Sequence, residues 1–396
     1  MNAIPMQRRI LLVTDYLGLY RQGMNRNLGI DTDRMQQIFR ERGFAVEVTT
    51  YDALANEPGL LEHCEGRFVV YTSSEVHPYR AYIRDILWVL AQKNVLVPRF
   101  DLLLCHEDKL ACELQLRAHG IQTQKSLLFA TVKDFEKHKA QLRYPVVIKK
   151  SDGAGSRYVA KADNGAQLEK LVHRYTRGHD SMEFYPKYWY KRLKGKDVEG
   201  YLDSERHFGS FILQEFIPGL AEDWKVLVFG DKFYALNRKV RKNDFRASGS
   251  GKFSFQQPPA ALLDLAKKVY DAMDVPFLSM DLCMAPDGKA RLIEFQGVHF
   301  GPYTLVKSDG YYLQQDGEWV RVLEQPDLAR EAAQAAAAYM ERLLARAGNA
   351  AAGQSEAAVP AADGAVPAEP QAAAAASMTA GTAAAQTAPG TEEGNA

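Results

Sequence analysis

The sequence has no excess of charge of either sign. Its 49 lysine and arginine residues equal its 49 aspartate and glutamate residues, so the formal net charge is zero. Chains that bind nucleic acid or anionic membranes through bulk electrostatics usually carry a net positive charge. We therefore expect neither nucleic acid nor a membrane as a partner.

Cysteine patterns that bind metal are also missing. The four cysteines (Cys64, Cys105, Cys112 and Cys283) include no CxxC pair, and no set of His and Cys completes a zinc site. No apolar run approaches the roughly 20 residues of a membrane-spanning helix. A strand is predicted from Arg9, which leaves too few residues before it for a secretory signal. These absences predict a cytoplasmic protein with reduced thiols.

Aromatic residues are absent from Asn349 onward, where Ala, Pro, Gly, Thr, Ser and Gln dominate. Such a composition cannot bury enough apolar surface to offset the entropy lost on ordering. We therefore expect a disordered tail over residues 348–396, after an Ala-rich helix near Arg330–Ala347.

The first part of the chain alternates apolar strands with helical patterns. Strands are predicted at Arg9–Thr14, Phe44–Thr50, Arg67–Tyr71 and Val95–Val97. Because β-α-β alternation builds a parallel sheet with helices on both faces, it predicts an α/β, doubly wound domain over residues 1–104. Residues 105–347 are predicted to form an α+β unit that contains strands, two hairpins and a smaller share of helix than the first part.

A hairpin within Phe277–Gln296 carries the sharpest signal. Asp287-Gly288 is a favourable two-residue turn, and centring the hairpin there gives one apolar face and one polar face. The facing pairs are then Leu282 with Ile293, Met280 with Phe295, Asp281 with Glu294, and Ser279 with Gln296.

A three-residue loop, Pro286–Gly288, would instead set Met280 against Glu294 and mix the two faces, so the pattern favours the first register. Facing carboxylates destabilise a sheet, and a divalent cation such as Mg²⁺ would compensate for the Asp281–Glu294 pair. The alternative is a solvated hairpin face that carries two unrelated acids.

A buried strand also leads into a glycine-rich loop. Lys149 lies near the end of the segment Tyr144–Lys150, which is followed by Gly153, Gly155 and Ser156. Backbone N–H groups in such a loop can hold phosphate oxygens, and a lysine supplies positive charge. Because the lysine precedes the glycines, this is not the P-loop pattern. A plain turn is the alternative interpretation.

A basic hairpin precedes the hairpin that carries Asp281 and Glu294. If Gly230-Asp231 forms its turn, Asp223 faces Arg238, and Lys225 lies two residues along on the same face. Arg246 follows in a loop. Clustered arginines and lysines suit polyphosphate recognition, although a solvated basic loop is an alternative.

In this order the elements resemble the ATP-grasp superfamily, over about Cys105–Leu305. The nearest pattern is that of the ligases that add glutamate to ribosomal protein and of bacterial glutathione synthetase. The resemblance implies a two-lobed ATP-grasp domain with an ATP lid subdomain at about residues 125–218. Four positions depart from the usual family residues: Gln296 stands for Asn, Lys150 for Pro, Lys225 for Arg and Ser248 for Asn.

The resemblance also implies roles for individual residues. Residues expected to bind the nucleotide and its phosphates are Lys109, Lys149, Gly153, Gly155, Ser156, Gln214, Glu215, Phe216, Ile217, Asp223 and Lys225. Asp281, Glu294 and Gln296 are the expected metal ligands. Arg238 and Arg246 are the expected catalytic residues, which stabilise the transferring phosphoryl group.

The activity implied is ATP-dependent joining of a carboxylate to an amine through an acyl phosphate, with Mg²⁺, or Mn²⁺ in its place, and release of ADP. The expected partners are a small-molecule or peptide carboxylate and an amine acceptor, and the sequence is compatible with a homo-oligomer. Two alternatives stay open: a kinase that phosphorylates an alcohol, and a non-catalytic ATP-binding module. Three roles stay open: His299 either contacts a substrate or has a packing or loop role, Asn25–Asn27 are a hypothetical substrate contact, and residues 180–206 form either a lid or acceptor surface or an insertion with no direct role.

Overall fold

The computed structural model describes most of the chain before residue 357. The described residues are 7–23, 29–121, 123–153, 158–176, 181–196, 207–242 and 244–356. Asn25–Asn27, Gly155, Ser156 and most of the expected tail therefore lie outside the described residues.

The first part of the chain alternates strands and helices. Its elements are β1 (Arg9–Thr14), β2 (Tyr20–Arg21), β3 (Gly29–Ile30), α1 (Thr32–Glu41), β4 (Ala45–Thr50), α2 (Tyr51–Asn56), β5 (Phe68–Tyr71), α3 (His77–Leu90), β6 (Val95–Val97) and α4 (Phe100–Leu104). A parallel sheet has the order β4-β1-β5-β6, and β2 pairs with β3.

Strand β1 is apolar on both faces, which explains why helices cover both sides of its sheet. Ile10 and Leu12 pack in the same core as Ile38 of α1, whereas Leu11 and Val13 pack in a second core with Leu87 of α3. Buried parallel strands show this continuous apolar character. The prediction of a doubly wound parallel sheet is confirmed.

The middle part of the chain builds a four-stranded antiparallel sheet, here named the small sheet. Its elements are α5 (Lys109–Ala118), β7 (Ser126–Thr131), α6 (Val132–His138), a 3-10 turn (Lys139–Gln141), β8 (Val146–Lys150), β9 (Val159–Ala162), α7 (Gly165–Tyr175), α8 (Ser181–Leu193) and β10 (Phe208–Glu215). The strand order is β7-β10-β8-β9. Phe135, Ile148, Leu168 and Phe211 belong to a core of its own, separate from the two cores above.

The last part builds an antiparallel sheet, here named the large sheet. Its elements are β11 (Glu222–Phe229), β12 (Lys232–Lys239), β13 (Phe253–Ser254), α9 (Ala260–Met273), β14 (Phe277–Met284), β15 (Ala290–Gln296), α10 (Tyr303–Val306), β16 (Gly310–Gln315), β17 (Glu318–Leu323) and α11 (Leu328–Glu356). The order is β15-β14-β11-β12-β16-β17, with β13 also on β12.

Helix α11 corrects one sequence-based boundary. The helix was expected to end near Ala347, but it runs to Glu356, because alanine has the highest helix propensity and the segment contains no proline before Pro360. No helix of the described residues is long and apolar enough to cross a membrane.

The β14–β15 hairpin confirms part of the predicted register and corrects the rest. Its turn is the three-residue loop that the pattern disfavoured: Ala285 N–H donates to Lys289 O at 2.9 Å across Pro286–Gly288. Leu282 therefore faces Leu292 rather than Ile293. A one-residue bulge at Ile293 then restores the expected register.

Beyond the bulge, Asp281 faces Glu294, Met280 faces Phe295, and Ser279 faces Gln296, as predicted. The bulge explains how a three-residue turn and a clean polar face coexist in one hairpin.

Strand order then brings five charged positions together on one sheet. On β11 and β12, Asp223 faces Arg238, as predicted from the turn. Because β11 also pairs with β14, Lys225 faces Asp281, which in turn faces Glu294 on β15. The five positions lie on four neighbouring strands of the large sheet, β15, β14, β11 and β12.

Candidate functional site

A cavity of about 520 Å³ is lined by residues of both antiparallel sheets and of the N-terminal part. Of the sixteen site residues expected from the sequence, fourteen line it; the other two, Gly155 and Ser156, lie outside the described residues. The fourteen are Lys109, Lys149, Gly153, Gln214, Glu215, Phe216, Ile217, Asp223, Lys225, Arg238, Arg246, Asp281, Glu294 and Gln296.

Arg238 joins two carboxylates on the large sheet. Its Nε and Nη2 atoms donate to Asp223 at 2.6 and 2.9 Å, and Nη2 also lies 2.9 Å from Asp281 Oδ2. Lys225 Nζ lies 3.6 Å from Asp281 Oδ1. The cost of facing Asp281 and Glu294 is therefore offset by two protein cations, a compensation that the hairpin alone did not reveal.

The network separates the pKa values of its two aspartates. Burial opposes ionisation of Asp281, but Arg238 and Lys225 outweigh it and lower its pKa to about 2. Burial raises the pKa of Asp223 to about 6, aided by the Asp281 charge and opposed by Arg238. Although burial acts against it, the two carboxylates raise the pKa of Arg238, which stays charged.

The expected metal ligands share this part of the cavity. Asp281 Oδ1 is buried and accepts no hydrogen bond, and its nearest cation, Lys225 Nζ, lies 3.6 Å away. The described residues contain no group of three or more His, Cys, Asp or Glu side chains arranged for a metal. Two carboxylates and the Gln296 amide suit Mg²⁺, which commonly takes one or two carboxylates with phosphate oxygens.

Lys149 brings positive charge from the small sheet. It lies on β8 opposite Ile212 of β10 and is buried, whereas the neighbouring Lys150 pairs with Asp152 at 3.1 Å. Burial lowers the pKa of Lys149, with Glu294 opposing the shift. No acidic group of the described residues lies within 4 Å of the Lys149 ammonium, so it enters no ion pair.

Lys109 reaches the same region from the N-terminus of α5. Asp108 caps that helix by accepting from Ala111 N–H at 3.0 Å. The helix is fixed to the loop after β8, because Lys109 N–H donates to Ser151 O at 2.9 Å and its Nζ donates to Gly153 O. Lys109 and the strand that carries Lys149 therefore both adjoin the start of the glycine-rich loop at Gly153.

The segment after β10 forms an edge of the cavity. Gln214 is buried at the end of β10, and Glu215 N–H donates to Lys125 O at 3.0 Å. The Phe216 ring packs edge-on against Phe245 at 5.9 Å between centroids, with Lys161 Nζ 5.2 Å from the Phe216 centroid. Exposed backbone beside an aromatic ring suits a planar nucleobase.

Arg246 links the loop after β12 to the small sheet. Asp244 accepts from Arg246 Nε and Nη2, the latter at 2.7 Å, and this bonding raises the pKa of the guanidinium. Arg246 Nη1 donates to Val159 O of β9 at 3.2 Å.

Sequence reasoning missed several lining residues. These come from the N-terminal part: Gln22, Glu75, His106 and Glu107. Ser248, where the resemblance expects Asn, and His299, whose role the sequence left open, also line the cavity. Position along the chain could have identified Glu75. Ligands bind at the carboxyl ends of strands in open α/β sheets, and Glu75 follows β5.

Comparison with known proteins identifies one curated relative and similar folds. No family model matches the chain. The α-aminoadipate–LysW ligase LysX of Saccharolobus solfataricus is 26% identical over 259 residues, which cover 64% of this chain and 84% of the relative.

Among solved structures, the D-cycloserine synthetase DcsG is 17% identical, with 85% of this chain and 99% of that chain covered and a TM-score of 0.48. A RimK domain ATP-grasp protein from Sphaerobacter thermophilus is 14% identical, with 74% and 91% covered and a TM-score of 0.43. The ordered motifs of the sequence resemble those of the ATP-grasp superfamily, and over 259 residues the chain is similar to a curated ligase.

Proposed function

We propose that the protein is an ATP-dependent carboxylate–amine ligase that forms an acyl phosphate and releases ADP and phosphate. One observation carries the proposal. Arg238, fixed by two carboxylates, lines the same cavity as Lys149, whose ammonium enters no ion pair with a described residue. Such a site is built to stabilise negative charge on a transferring phosphoryl group.

The nucleotide is expected to lie between the two sheets. Gln214–Ile217 would hold the base, and Lys109 with Lys149 would hold phosphates beside Gly153. The separate core of the small sheet supports a lid at about residues 125–218, within an ATP-grasp domain over 105–347 that follows an N-terminal domain over 1–104.

The large sheet stabilises the negative charge that develops during the reaction. In the proposed reaction a substrate carboxylate oxygen attacks the γ-phosphorus of ATP, ADP leaves, and an amine then displaces phosphate from the acyl carbon. Arg238 and Lys225 face the growing negative charge, and Arg246 anchors the small sheet near the phosphoryl group. Positioning and charge neutralisation suffice for this chemistry, and the protein supplies no covalent nucleophile.

Asp281, Glu294 and Gln296 are the residues that would hold Mg²⁺, or Mn²⁺ in its place. The buried Asp281 Oδ1 atom, which accepts no hydrogen bond, supports this assignment. When bound, such a cation neutralises phosphate charge and polarises the γ-phosphoryl group.

The partners are proposed at the level of chemical class. LysX is named for joining α-aminoadipate to LysW, which supports a carboxylate and an amine as the two substrates here. All four cysteines are free thiols, in keeping with a reducing compartment, and we propose the cytoplasm.

The test is an ADP-release screen over amino acids, peptides and other carboxylic acids, with hydroxylamine replacing the amine. The proposal predicts ADP together with a hydroxamate of the active acid. Lys149→Ala should abolish both products, and Lys150→Ala, the neighbouring surface lysine, should abolish neither.

Three results would contradict the proposal. ADP with a phosphorylated alcohol and no hydroxamate would identify a kinase. AMP with pyrophosphate would identify adenylation. Tight ATP binding without turnover of any acid would favour a non-catalytic module.

A further inference from the structure

One part of the cavity takes no part in the proposed phosphoryl chemistry. It is lined by Glu75, His106, Glu107 and His299, here named the acidic end. Glu75 follows β5, and Glu107 lies in the turn between α4 and α5.

Glu107 is held in a conformation that costs free energy. Its φ of +58° lies in the left-handed region, which a residue with a side chain rarely adopts. Residues kept in such conformations concentrate at functional sites. Arg80 Nη1 lies 3.7 Å from Glu107 Oε2 and also donates to the carbonyls of Ser74 and Glu75 at 3.0 and 3.1 Å. One guanidinium therefore fixes the backbone that carries Glu75 and the side chain of Glu107.

The acidic end has more negative than positive charge. Glu75 Oε1 lies 3.6 Å from His299 Nδ1, but burial, with Lys225 and Arg80, lowers the pKa of His299 to about 4, so the ring is neutral at pH 7. Burial and the Glu107 charge raise the pKa of Glu75, while Arg80 opposes them. Two carboxylates thus share the Arg80 charge, and a cation bound there would relieve their repulsion.

His106 provides an independent sign of a ligand. The ring is only 7% exposed, and its Nδ1 lies 2.8 Å from Ser73 Oγ. Its Nε2 is buried with no hydrogen-bond partner, although His106 lines the cavity. Burial of an unpaired polar atom is unfavourable, so a ligand that bonds to it would recover free energy.

The acidic end lies beside Lys225 of the large sheet. His299 contacts Glu75 on one side and is close enough to Lys225 for that ammonium to lower its pKa. Negative and positive groups therefore flank the same histidine. A zwitterion, with an ammonium group near its carboxylate, matches this order of charges.

We propose that the activated carboxylate substrate is an amino acid, and that Glu75 and Glu107 bind its ammonium group while its carboxylate faces Lys225 and Arg238. This inference rests on the proposed ligase function and adds its substrate class. An ammonium group has three donors, enough for both carboxylates and one further acceptor.

The experiment compares amino acids with the same acids lacking the ammonium group, in the hydroxylamine assay. Wild-type protein should prefer the amino acid. In Glu75→Gln and Glu107→Gln, KM for the amino acid should rise about 10- to 100-fold, as expected for a lost hydrogen bond to a charged group. KM for ATP and for the acid without ammonium should be unchanged. Glu65→Gln, at a surface glutamate that is 71% exposed, is the control.

The readout separates binding from folding, since each variant is also compared with wild type in melting temperature and ATP KM. The inference is wrong if acids without ammonium form hydroxamates and amino acids do not, or if Glu75→Gln keeps the wild-type preference. In both cases the ligase proposal stands. If amino acids react only as the amine acceptor, the inference is also wrong. If no acid gives ADP and a hydroxamate, both proposals fail.

Discussion

The two antiparallel sheets carry buried charge in different ways. On the large sheet, Arg238 is already bonded to Asp223 and Asp281, so the charges offset one another before any ligand binds. On the small sheet, Lys149 is buried and enters no ion pair with a described acidic residue. The comparison indicates that the large sheet is preorganised, whereas the small sheet presents a cation whose partner is expected to be the nucleotide.

The largest effect is expected from Arg238→Met. Removing one member of a buried ion pair leaves uncompensated charge and costs about 3–5 kcal/mol of unfolding free energy. Denaturant unfolding would measure the loss. Arg291→Met, which removes an exposed partner of Asp287 on the same sheet, should cost at most about 1 kcal/mol. Equal effects of the two substitutions would mean that the Arg238 network is not preorganised.

The facing carboxylates should respond differently to neutralisation. Asp281→Asn and Glu294→Gln should each lower magnesium-dependent ADP release by at least about 10²-fold, since each removes a proposed metal ligand. Only Asp281→Asn should also lower the melting temperature, because only Asp281 pairs with Arg238 and Lys225. Wild-type activity in both variants would refute the metal assignment.

Lys149→Met tests the small sheet. Methionine keeps the length of the side chain and removes the desolvated charge, so the melting temperature should stay constant or rise. ATP turnover should fall by at least about 10²-fold, because the proposed phosphate contact is lost. Lys150→Met should change neither quantity. A clear loss of stability in Lys149→Met would show that this lysine, like Arg238, is a structural partner.

The smallest effect concerns pH. The folded-state pKa of Asp223 is raised from 3.8 to about 6, so its contribution to stability is full below about pH 4 and is lost as the pH rises through about 6. Asn cannot titrate. The unfolding free energy of wild type minus that of Asp223→Asn should therefore fall between about pH 4 and 7, by at most about 3 kcal/mol. A flat difference would contradict the raised pKa.

Asp281 gives the opposite sign over a lower range. Its folded-state pKa, lowered from 3.8 to about 2, contributes stability that is present above about pH 4 and lost as the pH falls through about 2. The two pH ranges can therefore be distinguished in one titration of unfolding free energy.

Local patterns allowed the charged pairs of each hairpin to be predicted. The turn at Gly230-Asp231 predicted that Asp223 faces Arg238, and the apolar face of the second hairpin predicted that Asp281 faces Glu294. The bulge at Ile293 was not predictable, because a three-residue turn followed by a bulge leaves the same polar face as a two-residue turn.

Contacts between residues distant in sequence could not be predicted either. That Arg238 and Lys225 neutralise Asp281 depends on the pairing of β11 with β14, which no single hairpin encodes. Likewise, Glu75 and His106 reach the cavity only because the N-terminal part packs against the large sheet through shared cores. Periodicity predicts elements, whereas the order of strands and shared cores decides which loops meet.

Transfer of oxygen is the most direct test of acyl phosphate formation. The active carboxylic acid, labelled with ¹⁸O in its carboxylate, is incubated with ATP, Mg²⁺ and the amine acceptor, and the released phosphate is examined by mass spectrometry. Attack of the carboxylate on the γ-phosphorus predicts one ¹⁸O atom in the phosphate per turnover, with ADP as the other product. Unlabelled phosphate, or label in AMP, would contradict the proposed mechanism.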